Sequence, residues 1–180
     1  MRFRRRPRAP EFWPQRRRIR ILRGARPIFL AAVLAILWAG FDPLLVEPPA
    51  FLAGEPERIS ATFSRCGRGR SFACVIDGDT LKLGQRRVRI IGIDAPETQH
   101  AQCPEEERLG EQATAKLQQL LNQGPFELVA PAYGRTDRYG RDLRAVRRTR
   151  PDGSTQSIAA EMRESGLAHR YMGGFKPGWC

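Results

Sequence analysis

Between Thr80 and Ile91 aliphatic and polar side chains alternate: Leu81 and Leu83 first, then Val88 and Ile90 interleaved with Arg87 and Arg89, with Gly84-Gln85 between the two runs. Successive side chains of a strand point to opposite faces, so the stretch from Phe72 to Asp94 is expected to run strand, tight turn, strand. Arg87, Arg89 and Ile91 then share one face, opposite Val88, Ile90 and Gly92. Both faces must be partly buried, which suits a small barrel better than a flat sheet with one wet side. Downstream, Pro104 suits a first helical position, and Glu105, Glu106 and Glu107 follow where acids favour the helix dipole. Leu109, Ala113, Leu117, Leu120 and Leu121 recur at helical spacing, and Gly124 is expected to stop the helix. Further strands are expected at Phe126–Val129 and Leu143–Arg148, with a turn at Pro151-Asp152-Gly153. A second helix is expected from about Ser157 to Glu164, ended by Gly166. Five or so short strands, one helix among them and one after, make a β-barrel with helices (α+β), an open Greek-key barrel.

Charge is concentrated at one end. The 180 residues carry a formal net charge of +12. Residues 1–26 hold 11 arginines against Glu11 alone, or +10, so the remaining 154 residues add only +2. The globular part is nearly neutral, and contact with a polyanion needs a local basic site rather than a global field. An apolar run from Pro27 to Phe41 follows the arginines; it is shorter than the roughly 20 residues of a spanning helix, although Pro43-Leu44-Leu45-Val46 extends it beyond Asp42. Arginines on that side favour an amino terminus kept in the cytoplasm. Residues 27–46 are therefore expected to be an uncleaved signal anchor, with a cleaved signal peptide and a buried core helix as the alternatives. The proline-rich residues 47–57 read as a linker, and residues 58–180 as the globular domain. Anchored in the inner membrane, or secreted or periplasmic after cleavage, that domain lies outside the cytoplasm.

Cysteine usage agrees with such a compartment. All four cysteines, Cys66, Cys74, Cys103 and Cys180, lie beyond the apolar run. Three pairings are open to them. Cys66–Cys74, closing a small loop, and Cys103–Cys180, tying the carboxyl terminus to the start of a helix, are expected. A zinc site competes poorly, because there is no CxxC spacing and His100 and His169 lie far from any cysteine cluster.

Three short blocks carry chemistry. The first is Asp77-Gly78-Asp79-Thr80, the second Arg89 to Glu97 with Asp94-Ala95-Pro96 inside it, and the third Arg135-Thr136-Asp137-Arg138-Tyr139-Gly140-Arg141. Alone, Asp-Gly is a turn signal, and one arginine among 28 is an ordinary surface residue. Together the blocks supply carboxylates for a hard divalent cation and guanidinium forks for a phosphoryl group. Asp79 and Asp94 lie on opposite sides of the expected hairpin, so strand pairing can bring them together. Two carboxylates that close repel each other unless a cation lies between them. Glu97 can be an exposed loop acid or a base that orients a water. Arg138 and Tyr139 can be turn residues or can flank a nucleotide by phosphate contact and stacking.

In order and residue type these blocks resemble the staphylococcal nuclease (thermonuclease) family over roughly residues 70–172. The resemblance takes in Glu107, Gly110 and Ala113 of a Glu-x-x-Gly-x-x-Ala segment and Gly166-Leu167-Ala168 near the end. It implies an OB-fold, a five-stranded Greek-key barrel with helices, and Ca²⁺-dependent hydrolysis of DNA and RNA that leaves 3′-phosphate ends. By position it implies Asp79 and Asp94 as Ca²⁺ ligands with the Ala95 backbone carbonyl, and Asp77 behind them. It implies Glu97 as the base, Arg89 and Arg141 as phosphate clamps, and Arg138 and Tyr139 as the nucleotide border. The family's usual threonine stands as Ala95 here, which keeps a main-chain ligand and loses a hydroxyl. The tail Gly173–Cys180 also departs from the secreted prototype. The expected partners are a DNA or RNA substrate and, through the amino-terminal anchor, a membrane; the chain is expected to work as a monomer. The alternatives are a non-catalytic OB-fold module that binds nucleic acid or protein, and a structural Ca²⁺ protein of the envelope.

Overall fold

The computed structural model describes residues 27–35, 55–67, 71–131 and 136–180. The chain divides into two units, Met1–Phe41 and Asp42–Cys180. In the first, residues 27–35 form a helix, α1, on which Ile28, Phe29, Leu30 and Leu34 are each at least 60 % exposed. Among the described residues no helix is long and apolar enough to cross a membrane. The arginine tail, residues 36–46 of the expected anchor and most of the linker lie outside the described residues.

The second unit runs β1 (Glu57–Ile59), β2 (Ser64–Arg65), β3 (Ala73–Asp77), β4 (Thr80–Leu83), β5 (Arg86–Ile90), β6 (Gly92–Asp94), α2 (Pro104–Leu121), β7 (Phe126–Val129), β8 (Asp142–Thr149), β9 (Thr155–Ser157), α3 (Ile158–Glu164) and β10 (His169–Tyr171). The sheet order is β1-β7-β8-β5-β4-β3-β2, with β9 on β8, and β6 and β10 form a separate antiparallel pair. The pairs β2–β3 and β5–β8 are parallel and the others antiparallel, so the sheet is mixed. The architecture is α+β.

Two expectations need correction. The described residues form ten strands, not five; β1, β2, β6, β9 and β10 span only two or three residues, too few for an alternating signature. Residues 72–94 make two hairpins rather than one, because the chain already reverses at Gly78-Asp79, where Asp77 pairs with Thr80. Both faces of β5 are partly buried, as the alternation requires: Val88 and Ile90 are fully buried and Arg89 is 9 % exposed, while Arg87, on the face of Arg89, is exposed.

One hydrophobic core lies between the sheet and the helices, with Phe63, Leu81, Ile90, Leu117, Phe126 and Met162 among its buried members. Removing these side chains from water is the main stabilising term, at about 25 cal/mol per Å² of apolar surface. The α2 helix begins at Pro104 as the acids suggested, but it ends at Leu121 with Asn122 as its cap, ahead of Gly124. Arg148 on β8 serves that end. It donates to the carbonyls of Leu120 at 2.8 Å, Gly124 at 3.0 Å and Pro125 at 3.2 Å. A cation placed there adds donors to carbonyls at and just beyond the helix end and complements the helix dipole, a task that no basic residue in α2's own last turn performs. Both disulfides, Cys66–Cys74 and Cys103–Cys180, are present.

Candidate active site

Three turns of chain meet at the carboxylates. Asp79 sits in the β3–β4 turn, where its amide donates to Asp77 Oδ1 at 3.1 Å and its side chain is nearly fully buried. Arg89 lies directly across the β4–β5 hairpin, paired with Thr80. Asp94 ends β6, at the register position of His169 on β10. The hairpin geometry therefore aims the buried Arg89 guanidinium at both acids: Nη1 donates to Asp79 Oδ1 at 2.5 Å and Nη2 to Asp94 Oδ1 at 3.1 Å. The Ala95 amide donates to Asp79 Oδ2 at 3.2 Å, which fixes the loop that follows β6.

Helix α2 backs this arrangement closely. A Cβ on Gly78 would come within 2.5 Å of the Ala113 Cβ and 2.6 Å of the Ala95 Cβ. A Cβ on Gly110 would come within 2.4 Å of the Glu97 carbonyl oxygen. Small residues at these points let the helix touch both acid-bearing loops. Glu106, also buried, accepts from the Gln102 amide at 2.7 Å and the Glu97 amide at 3.4 Å, pinning the loop between Glu97 and the helix.

Negative charge here exceeds the nearby positive charge. Burial, and then the adjacent Asp79, push the Asp77 carboxyl up to about 8. Burial also raises Glu97; Asp79 raises it further, while Lys176 and Arg89 pull the other way. Glu97 faces a cavity of about 280 Å³ shared with Asp94, Ala95, Glu106 and the tail residues Lys176–Cys180. Lys176 Nζ contacts Asp94 Oδ1, the same oxygen that Arg89 reaches.

The donor set suits a hard divalent cation. Asp79 and Asp94 present oxygens close enough for one guanidinium to bridge, and the surplus of negative charge favours a cation among them. Among the described residues no group of three or more His, Cys, Asp or Glu is disposed to hold a metal. Two carboxylates would therefore need backbone and water oxygens to complete the shell, as hard cations accept.

Arg138, Tyr139 and Arg141 form a second cluster. Arg141 donates from Nε to Asp137 Oδ2 at 2.7 Å and from its amide to Asp137 Oδ1 at 2.9 Å. Its two Nη nitrogens have no partner among the described residues. Burial alone would raise Asp137, but the Arg141 amide and guanidinium and the Tyr139 amide outweigh it and hold that carboxyl below the usual range. Tyr139 is exposed, with the guanidinium carbons of Arg138 and Arg141 lying 4.9 and 5.4 Å from its ring centroid. Arg87 Nη2 donates to the Tyr139 carbonyl at 3.2 Å, linking this turn to β5 two residues before Arg89. The hydrogen bonds of Arg141 go to Asp137 and not to the carboxylate cluster.

The sequence singled out neither Glu106 nor Lys176. Three consecutive glutamates hid the one that turns inward, and nothing local marks a lysine that reaches an acid 82 residues away.

A model of the family described as Staphylococcal nuclease homologue matches residues 87–176. The matched span contains Arg89, Asp94, Glu97, Arg138, Tyr139, Arg141 and Lys176 and begins after Asp77 and Asp79. No curated protein matches the chain.

Proposed function

The chain belongs to the staphylococcal nuclease homologue family, and on that premise we propose that it is a phosphodiester hydrolase cutting DNA or RNA on an OB-type Greek-key barrel. The observation that carries the proposal is the buried Arg89 bridging Asp79 and Asp94, with Glu97 on the same cavity. A pure binding module gains nothing from three acids facing a polyanion, which they repel.

Bound by Asp79, Asp94 and the Ala95 carbonyl, Ca²⁺ would supply positive charge to the phosphoryl oxygens. Glu97 accepts a proton from water and aims the water oxygen at phosphorus. As that bond forms, the bond from phosphorus to the 5′-oxygen breaks; the 5′-oxygen takes up a proton from solvent and leaves as a hydroxyl, and the other product carries a 3′-phosphate end. Arg89 stands at the carboxylates, ready to take an equatorial oxygen. Arg141, held at Nε by Asp137, offers its Nη pair as a fork for the developing charge. Exposed Tyr139 flanked by Arg138 supplies a ring and a cation for a neighbouring nucleotide. Asp77 fixes the Asp79 amide and so acts from behind the ligands.

The exposed apolar side chains of α1, the preceding arginines and the two disulfides support a domain kept outside the cytoplasm by an amino-terminal anchor. The test is hydrolysis of denatured DNA by the full chain, with disulfides intact, in Ca²⁺ and in excess chelator. Ca²⁺-dependent cleavage, lost by a factor of about 100 or more in Glu97→Gln and in Arg141→Ala, is expected. Binding without cleavage would make the chain a non-catalytic module.

A further inference from the structure

The tail does more than finish the chain. After β10 the backbone reverses at Gly173 and Gly174, both at positive φ (95° and 89°), which returns the last six residues toward β6. Three contacts then hold the segment down. Lys176 pairs with Asp94; the Trp179 ring stacks on His169 with centroids 3.8 Å apart; and Cys180 is joined to Cys103 at the start of α2. His169 is itself the register partner of Asp94 on the β6–β10 ladder, so the stack and the ion pair sit at the same point of the fold. The segment forms one wall of the cavity that Glu97 faces.

We propose that Gly173–Cys180 is a tethered cover whose Lys176 ammonium stands at Asp94 and competes there with a divalent cation. Lys176 is thus a further residue of the centre and sets its cation affinity. The inference rests on the assignment of Asp94 as a metal ligand. Asp94 Oδ1 already accepts from the buried Arg89, so a divalent cation reaching it meets repulsion from Lys176 as well, and the lysine is the one of the two that can withdraw. The lysine can leave without losing a buried position, since its side chain is 47 % exposed. The Tyr171 ring, 5.2 Å from Nζ, helps to hold the ammonium beside Asp94. The disulfide keeps the lysine at high local concentration, so the competition is intramolecular and independent of protein concentration.

A site that is covered about nine-tenths of the time binds with an apparent Kd about tenfold weaker than its intrinsic value. Isothermal titration of the full chain with Ca²⁺ reads this without any appeal to turnover. Lys176→Gln is expected to bind Ca²⁺ about tenfold more tightly than wild type, while Lys176→Arg stays near wild type. Cys180→Ser, which keeps the lysine and removes the tether, is expected to gain affinity by a smaller factor. Circular dichroism establishes that each variant is folded. Measurable Ca²⁺ binding by the wild type with an unchanged Kd in Lys176→Gln would overturn the cover and leave the metal centre standing. Absence of Ca²⁺ binding in the folded wild type and in every variant would overturn the metal centre itself.

Discussion

Gly110→Ala tests whether the distance between α2 and the Glu97 loop matters more than the helix's own preference. In a helix interior alanine is favoured over glycine by about 1 kcal/mol, so local physics expects stabilisation. The structure opposes this: the new Cβ would lie 2.4 Å from the Glu97 carbonyl oxygen, 2.8 Å from its carbonyl carbon and 3.0 Å from the Pro96 carbonyl oxygen. Ordinary contact starts near 3.4 Å, so about 1 Å must open against backbone that has no rotamer to change. Overpacking of that kind costs about 1–3 kcal/mol, which leaves a net loss of about 0–2 kcal/mol once the helix gain is subtracted. A shift of about 1 Å at the loop moves Glu97 from its productive place, and misplacement on that scale lowers turnover about 100-fold. Thermal melts followed by circular dichroism, together with kcat on denatured DNA, separate the two effects. Gln112→Ala on the exposed face of α2 is the control. A melting point lowered by no more than about 8 °C, with kcat reduced about 100-fold, is expected. Wild-type kcat, or stabilisation by the full 1 kcal/mol or so of propensity, would refute the steric argument.

Arg89→Met leaves Asp79 and Asp94 buried and facing each other without their bridge. A loss of about 3 kcal/mol or more is expected in urea unfolding with chelator present, partly recovered by millimolar Ca²⁺; equal losses with and without Ca²⁺ would argue that the acids share no cation. Arg148→Met strips donors from the carbonyls of Leu120, Gly124 and Pro125 and is expected to cost about 2 kcal/mol by the same measurement, so a loss below about 0.5 kcal/mol would count against the helix-end role. Asp137 is held below its ordinary range, so its contribution to stability is present above the unfolded value of about 3.9 and disappears as pH falls through the lower folded value. In stability profiles from about pH 2 to 5, the wild type should therefore lose its advantage over Asp137→Asn below about pH 4, and a constant difference across that range would contradict the assignment.

Much of the fold was open to local inference. Proline and three acids mark the start of α2, aliphatic spacing marks its buried face, and alternation in β4 and β5 announces two partly buried sides. The short strands were not legible, because two or three residues carry no period and their pairing is imposed by neighbours. Gly124 was a reasonable stop, yet Asn122 takes the cap, its side chain closing on the backbone of Phe63: its Oδ1 accepts from the Phe63 amide at 2.7 Å and its Nδ2 donates to the Phe63 carbonyl at 2.9 Å.

By itself the sequence determined the kinds of chemistry at hand: acids and arginines in three ordered blocks, four cysteines beyond the apolar run, and most of the net positive charge at the amino-terminal end. Those are properties of residue type and near-neighbour spacing, where local forces suffice. Only the tertiary structure decided that Arg89 would span Asp79 and Asp94, that Glu106 alone of three glutamates would turn inward, and that Gly110 would meet the Glu97 backbone. Only it brought Lys176 back across 82 residues to Asp94. Contacts at that separation depend on how the sheet, helix and disulfide close in space, and no local pattern along the chain encodes the closure.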